Sequence, residues 1–114
     1  MHKILNPIMT NLNGIEATTT LSPDADPVKL SAKLAFQSHI GTVSGSDDKM
    51  KTLAIGLKLA ALDDYVKDIT LEDAELELLS KLIKNLRNPI FTDIIYAQME
   101  KVLDGTKHIE ASVR

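Results

Sequence analysis

The chain has 114 residues, which fits a single domain, and its 44% hydrophobic and 25% charged content excludes wholesale disorder. A net charge of −3 argues against sequence-independent attraction to nucleic acid, which needs clustered Lys and Arg. The absence of cysteine excludes disulfides, thiol catalysis and thiolate metal sites. No apolar run approaches the roughly 20 residues of a membrane span or has the form of a signal peptide, so we expect a cytoplasmic protein.

The first predicted element is a β-hairpin over about residues 4–21. Asn13-Gly14 is typical of a type I′ turn, in which both central residues must tolerate positive φ. Closing the loop there pairs Thr10 with Ala17. The more apolar face, which we expect to pack on helices, then holds Ile8, Thr10, Leu12, Ile15, Ala17 and Thr19. The outward face holds Met9, Asn11, Glu16, Thr18 and Thr20.

The next segment predicts a first helix that ends near Gly41. Asp26 is the predicted N-cap, and Pro27 suits the first helical position because its missing N–H costs nothing there. Apolar residues follow at helical spacing, namely Val28, Ala32, Ala35, Phe36 and His39 or Ile40. Residues 41–48 are rich in Gly and Ser and are predicted to form a loop.

A second helix is predicted after Ser46 or Asp47 as N-cap. Its apolar residues nearly encircle it, which is typical of a central, buried helix. They are Met50, Leu53, Ala54, Ile55, Leu57, Leu59, Ala60 and Leu62. Gly56 lies in the middle and costs about 1 kcal/mol relative to alanine in a helix. We therefore expect another helix to cross closely at this glycine.

The third helix is predicted from Thr70 to Asn85, with Thr70 and Asp73 forming an approximate capping box. Acidic residues crowd its start and basic residues its end, as the helix dipole favours. Glu77 and Lys81 have the i,i+4 spacing of a stabilising ion pair. We interpret these charges as helix construction and not as an acidic binding face or a metal site. The predicted inward residues are Leu71, Leu78, Leu79, Leu82 and Leu86.

A fourth helix is predicted to start either after Asn88, with Pro89 first, or after Thr92, and to stop at Gly105. Residues 106–114 are predicted to be a polar, frayed tail. The predicted fold is therefore mainly α, with a four-helix core and a short N-terminal β-hairpin in one domain over residues 1–105.

No catalytic, cofactor or metal site is predicted. The three histidines lie in different predicted elements without metal-ligand spacing, and His39 is interpreted as a partner of the helix dipole. The acidic stretch from Asp63 fails the calcium-loop pattern, because Asp68 and Ala74 stand where glycine and glutamate are needed. A composite active site built from distant residues stays open as an alternative.

A second alternative is a small DNA-binding regulator in which the last two helices form a helix-turn-helix. The reading helix then needs outward Arg, Lys, Asn or Gln. The fourth helix offers chiefly Gln98 and Lys101, beside Asp93 and Glu100. Because this is a poor reading surface, helix packing is the preferred interpretation.

Three stretches, "DDKMKTLAIGLKLAAL", "ITLEDAELELLSKLI" and "NPIFTDIIYAQMEKVLDG", resemble small proteins encoded by tailed bacteriophages and prophages. The resemblance covers about residues 4–105. The matching positions are Asn13, Gly14, Lys49, Lys51, Glu72, Asp73, Pro89, Gln98, Leu103 and Gly105. It implies no active site. It implies a viral protein that works by contact, as an assembly factor, a virion component or an inhibitor that occludes a host enzyme.

The leading hypothesis is a non-enzymatic interaction protein that binds a host or phage protein or a second copy of itself. The excess of apolar residues on the second and fourth helices motivates it, because exposed apolar patches mark contact sites. No small-molecule substrate or membrane partner is evident. The candidate interaction residues are Met9, Asn11, Glu16, Ser44, Asp47, Asp48, Lys49, Lys51, Ile95 and Tyr96.

Overall fold

Four helices and five short antiparallel strands form the regular structure in a computed structural model that describes residues 2–85, 90–105 and 107–108. The strands are β1 (His2–Leu5), β2 (Thr18–Thr19), β3 (Val28–Lys29), β4 (Asp68–Leu71) and β5 (Lys107–His108). The helices are α1 (Ala32–Thr42), α2 (Lys49–Ala60), α3 (Asp73–Asn85) and α4 (Asp93–Asp104). The predicted helical character is confirmed.

Strand β1 is the centre of a three-stranded antiparallel sheet with the order β4-β1-β5. Ile4 of β1 lies opposite Ile69 of β4, and both side chains are completely buried. Their neighbours Lys3 and Leu5 are exposed, as the alternation of a half-buried strand requires. The core therefore includes a sheet as well as helices. Residues 107 and 108, which were predicted to belong to a tail, pair with β1.

The predicted chain reversal near Asn13-Gly14 is present, but the predicted pairing of the two arms beside it is wrong. Thr10 pairs with Glu16 instead of Ala17. The side-chain oxygen of Asn11 accepts hydrogen bonds from the backbone N–H groups of Asn13 and Ile15 at 2.9 and 3.1 Å. This local turn adds a residue to the loop, so a type I′ turn does not form.

The faces are reversed only in the arm before the turn, because a shift of one residue moves alternating side chains to the other side of one arm relative to its partner. Met9, predicted to face outward, is buried at 1% exposure. Leu12, predicted to pack on the helices, is 82% exposed. After the turn, Ala17 and Thr19 are half-buried and Thr18 is exposed, as predicted. In the same region Gly14 takes a φ of +78°, which favours glycine over other residues.

Helix α1 begins later than predicted. Asp26 and Pro27 precede β3, which pairs with β2, and the N-cap is Ser31. The Ser31 hydroxyl accepts from the Leu34 N–H at 3.2 Å and donates to the Asp64 carbonyl at 2.6 Å. A distant chain segment thus fixes the start of this helix. Its end at Thr42 agrees with the predicted stop near Gly41.

The starts of the other three helices agree with the predictions only in part. Helix α2 is capped by Asp48, just after the two predicted caps. Thr70, the predicted cap of the third helix, lies in β4, and Glu75 instead accepts the Glu72 N–H at 2.8 Å ahead of α3. Helix α4 follows Thr92, one of the two predicted alternatives, and ends at Gly105 as predicted. The other alternative, Asn88 with Pro89, and the predicted inward residue Leu86 lie outside the described residues.

The main core joins α1, α3 and α4 to the sheet. Its members are Ile4, Met9, Leu30, Ala32, Leu34, Ala35, Phe36, Ile55, Leu59, Ile69, Leu71, Leu79, Ile83, Ile95, Tyr96, Met99 and Leu103. Helix α2 contributes only two buried residues to this core, Ile55 and Leu59. The prediction of a central, buried second helix is therefore wrong. Gly56 does mark a close crossing, because an added Cβ would lie 3.2 Å from the Ile40 side chain of α1.

A partly buried polar network joins the end of β1 to the start of α1 and to the chain before β4. The Asn6 side chain accepts the Lys33 N–H at 2.7 Å and donates to the Val66 carbonyl at 2.7 Å. The Lys33 ammonium lies 2.8 Å from an Asp64 carboxylate oxygen, and the Lys33 side chain is only 2% exposed. One asparagine therefore satisfies backbone groups of two other segments.

Replacing Asn6 with alanine is expected to lower the free energy of unfolding by about 2 kcal/mol, because it leaves backbone groups in the interior without partners. Urea denaturation followed by circular dichroism measures this change. Asn13→Ala is the matched control, since Asn13 is exposed, and its effect should stay within about 0.5 kcal/mol. Equal effects of the two substitutions would contradict the role assigned to Asn6.

Candidate functional site

About half of the charged side chains of the described residues pair with a charge on another segment. Lys29 pairs with Glu16, Lys58 with Glu75, Lys84 with Asp104, and His2 with Asp73. Lys81, predicted to pair with Glu77, instead lies 3.2 Å from Asp47 at the start of α2. The charges thus connect elements across the fold and do not gather into one cluster.

The Lys58–Glu75 pair fastens α2 to α3. The Lys58 ammonium lies 2.6 Å from a Glu75 carboxylate oxygen, and the same oxygen accepts the Glu72 N–H. Burial alone raises the pKa of Glu75, but the Lys58 hydrogen bond, the Glu72 hydrogen bond and the charge of Lys58 outweigh it. The pKa of Glu75 is therefore held below its ordinary value of 4.5.

A depressed pKa in the folded state means that ionised Glu75 stabilises the fold above pH 4.5 and loses this effect as the pH falls further. Glu75→Gln is therefore expected to lower the free energy of unfolding most at neutral pH, and this difference from the wild type should become smaller below pH 4.5. Urea denaturation of both proteins across this range measures the difference. Glu77→Gln is the control on the same helix, because Glu77 is exposed, and a pH-independent effect of Glu75→Gln would count against the assignment.

His39 is a buried structural residue and not only a partner of the helix dipole. Its Nε2 lies 2.8 Å from the Leu82 carbonyl oxygen of α3, to which it must donate, and its Nδ1 lies 3.0 Å from the Tyr96 hydroxyl of α4. A neutral imidazole therefore accepts from the Tyr96 hydroxyl. The side chain is completely buried and joins three helices.

Tyr96→Phe is expected to lower the free energy of unfolding by about 1–2 kcal/mol, because it leaves a buried nitrogen of His39 without its donor. Thermal or urea denaturation gives this value. Tyr65→Phe provides the comparison, since the Tyr65 hydroxyl donates to the Lys29 carbonyl from an exposed position where water can replace it. A larger loss for Tyr65→Phe than for Tyr96→Phe would disprove the assignment.

No group of three or more potential ligand side chains lies together in the part of the chain that the structure describes. His2 and His108, at opposite ends of the sequence, are backbone partners in neighbouring strands β1 and β5. His2 itself pairs with Asp73. Among the described residues, no helix has the length and hydropathy that a membrane crossing requires.

Three of the predicted interaction residues are buried and unavailable for contact. Met9 turns inward with the shifted register of the N-terminal loop. Ile95 and Tyr96 are 7% and 2% exposed, because this side of α4 packs against α1 and α3. The neighbouring Ile94 is 36% exposed instead. The prediction that Ile95 and Tyr96 form part of an exposed interaction surface is therefore wrong.

The remaining predicted residues fall into two separate places. Asn11 and Glu16 line a hollow beside Ile94 at the start of α4. The other five lie around the start of α2 and are Ser44, Asp47, Asp48, Lys49 and Lys51. Ser44 and Lys49 line a different hollow from that of Asn11 and Glu16. Five of the predicted interaction residues thus lie at one end of an exposed helix, and their role in contact stays a prediction.

The outward face of α2 is apolar. Met50, Leu53 and Leu57 are 74%, 52% and 62% exposed and recur at i, i+3 and i+7, which places them on one side of the helix. Three exposed alanines at positions 54, 60 and 61 lie on the same side. Lys51 and Lys58 point toward α3, so Lys49 is the one charged residue of the described chain on this face.

An open groove of about 660 Å³ borders this face between α1 and α2. Its floor includes Gly56, and Leu53 and Leu57 form one wall. Residues 43–48 close one end, where Gly45 takes a φ of +86°. None of Met50, Leu53 and Leu57 was among the predicted interaction residues. The signal that pointed to them was the nearly complete apolar ring of the second helix, which was interpreted as burial.

Compared with protein-family models, curated proteins and solved structures, the chain matches none of them. The resemblance to bacteriophage proteins therefore stays a prediction.

Proposed function

We propose that this protein is a non-enzymatic interaction protein that binds another protein through the outward face of α2. The observation that carries the proposal is the row formed by Met50, Leu53 and Leu57, which are all more than half exposed. Scattered apolar residues are normal on a protein surface, but a contiguous apolar strip marks a contact site.

The spacing of the row favours a helical partner surface. Residues at i, i+3 and i+7 are the anchors of a helix that lies in an apolar groove or against another helix. Complete burial of a Leu or Met side chain contributes about 1.5–3 kcal/mol. Three such side chains that are only partly covered leave several kcal/mol of hydrophobic free energy to be gained on association.

The polar interior supports a structural role for the ionisable groups. His39 is hydrogen-bonded on both ring nitrogens, Lys33 pairs with Asp64, and Glu75 holds Lys58. Each of these side chains connects segments that are distant in the sequence. Within the proposal the protein acts in a host-cell cytoplasm as an assembly factor, a virion component or an inhibitor that occludes a host enzyme, as the bacteriophage resemblance implies.

The geometry does not favour the alternative of a DNA-binding regulator. Gln98, the first residue expected to read bases, accepts the Thr10 N–H at 2.9 Å and donates to the Thr10 carbonyl at 2.7 Å. Its amide fastens the N-terminal segment to α4. Among the two residues proposed to face the bases, only Lys101 remains exposed.

A photo-reactive amino acid at position 53 is expected to form covalent adducts with a protein in the producing cell, because Leu53 lies in the middle of the apolar row. Denaturing gels and mass spectrometry identify the adducts. The same probe at Lys101, an exposed position on α4, should give few adducts. A probe at position 53 that labels no protein, itself included, would refute the proposed contact surface.

A further inference from the structure

We infer that the occupant of the α2 face is a second copy of this chain, packed antiparallel as a symmetric helix pair. The inference rests on the proposed contact function and names its partner. The outward residues of α2 repeat as in a coiled-coil seam, with Met50 and Leu57 at a positions and Leu53 and Ala60 at d positions. All four are exposed in the single chain.

The seam is complementary to itself. In an antiparallel pair an a residue of one helix packs beside a d residue of the other, so Leu53 meets the partner's Leu57. Met50, the longest side chain of the seam, then meets the partner's Ala60, the smallest. The same arrangement brings the two Ala54 residues together near the symmetry axis, where their small side chains allow close approach.

Charge complementarity selects this orientation. Lys49 lies at the g position before the first seam residue, and Asp63 lies three residues beyond the end of α2. Neither side chain has an ion-pair partner among the described residues, and both are exposed. Because the start of each helix meets the end of its partner in an antiparallel pair, Lys49 of each copy lies near the partner's Asp63 and near the negative end of the partner's helix.

A parallel pair lacks these features. It would place the two Lys49 residues at the same end and align the two helix dipoles, and both effects are repulsive. The antiparallel interface is also small. Stable interfaces bury about 800 Å² on each partner, which is more than one short helix face supplies. The dimer is therefore expected to form reversibly and to dissociate on dilution.

Sedimentation velocity of the purified chain over a wide range of concentrations tests self-association. The mass is expected to rise from that of one chain to that of two. Leu53→Glu should hold the protein at the mass of one chain, with an unchanged circular dichroism spectrum because Leu53 is exposed in the fold. A wild-type chain that stays monomeric at every concentration, or a Leu53→Glu variant that still dimerises, would overturn the inference.

The absence of native cysteine allows a direct test of orientation. Position 54 lies beside the symmetry axis of the antiparallel pair, so Ala54→Cys is expected to form a disulfide-linked dimer under mild oxidation. Position 50 of one helix lies level with position 60 of the other, so about 15 Å along the helix axis separates the two copies of position 50. Met50→Cys should therefore remain mostly uncrosslinked. Efficient linkage through position 50 and not through position 54 would show a parallel pair and contradict the antiparallel one.

Charge reversal tests the end contacts. Lys49→Asp and Asp63→Lys each place like charges together at both ends and are expected to raise the dissociation constant of the dimer about 3–30-fold. The double variant should return it to within about 3-fold of wild type, since it restores both attractions. Lys101→Asp and Asp24→Lys change the net charge equally at other exposed positions and control for it. Failure of the double variant to recover would rule out the Lys49–Asp63 contact.

The two proposals fail in different ways. If the purified chain is monomeric while the probe at position 53 labels a different protein, the contact function stands and the self-pairing is wrong. If the probe labels nothing and the chain is monomeric, both are wrong.

Discussion

The structure depends on the central position of β1. This strand lies between β4 and β5 and so joins the start of the chain to its middle and to residues 107 and 108. Ile4 and Ile69 are buried together under the helices. Asn6, directly after β1, then satisfies backbone groups at the start of α1 and before β4. The position of α1 therefore follows from hydrogen bonds to segments far away in the sequence, and α3 follows β4 directly.

This arrangement leaves α2 at the surface. Helices α1, α3 and α4 share the buried core with the sheet, and the His39–Tyr96 and His39–Leu82 contacts join all three. Helix α2 reaches the core only through Ile55 and Leu59 and is held at its sides by the Gly56 crossing and the Lys58–Glu75 pair. Its apolar outward face is thus a consequence of where the sheet lies. The same geometry that buries one side of the helix leaves the other side exposed to solvent.

Several features were predictable because they depend on neighbouring residues alone. The stops of α1 and α4 near Gly41 and Gly105 and the close approach at Gly56 follow from helix chemistry. The start of α4 after Thr92 was one of two predicted alternatives, and the Thr92 side chain makes no capping hydrogen bond there. The start of α2 was predicted within two residues. The candidate site was only half predictable. Among the candidate residues around the start of α2, all but the half-buried Asp48 are exposed. Ile95 and Tyr96 are buried instead, since the sequence does not show which side of a densely apolar helix its neighbours will cover.

The sequence by itself determined that the chain forms helices, approximately where they lie, and that it carries more apolar helical surface than a small core hides. Only the tertiary structure decided which apolar faces are covered. Thr70 became part of a strand because β1 offered it backbone partners, and the N-terminal register shifted because the Asn11 side chain closed a wider turn. Helix α2 became the exposed helix because β1 and β4 occupy interior space that the sequence pattern had assigned to it. Strand pairing between distant segments and competition for space in one core are long-range effects. The hydrophobic periodicity within a segment gives no information about them.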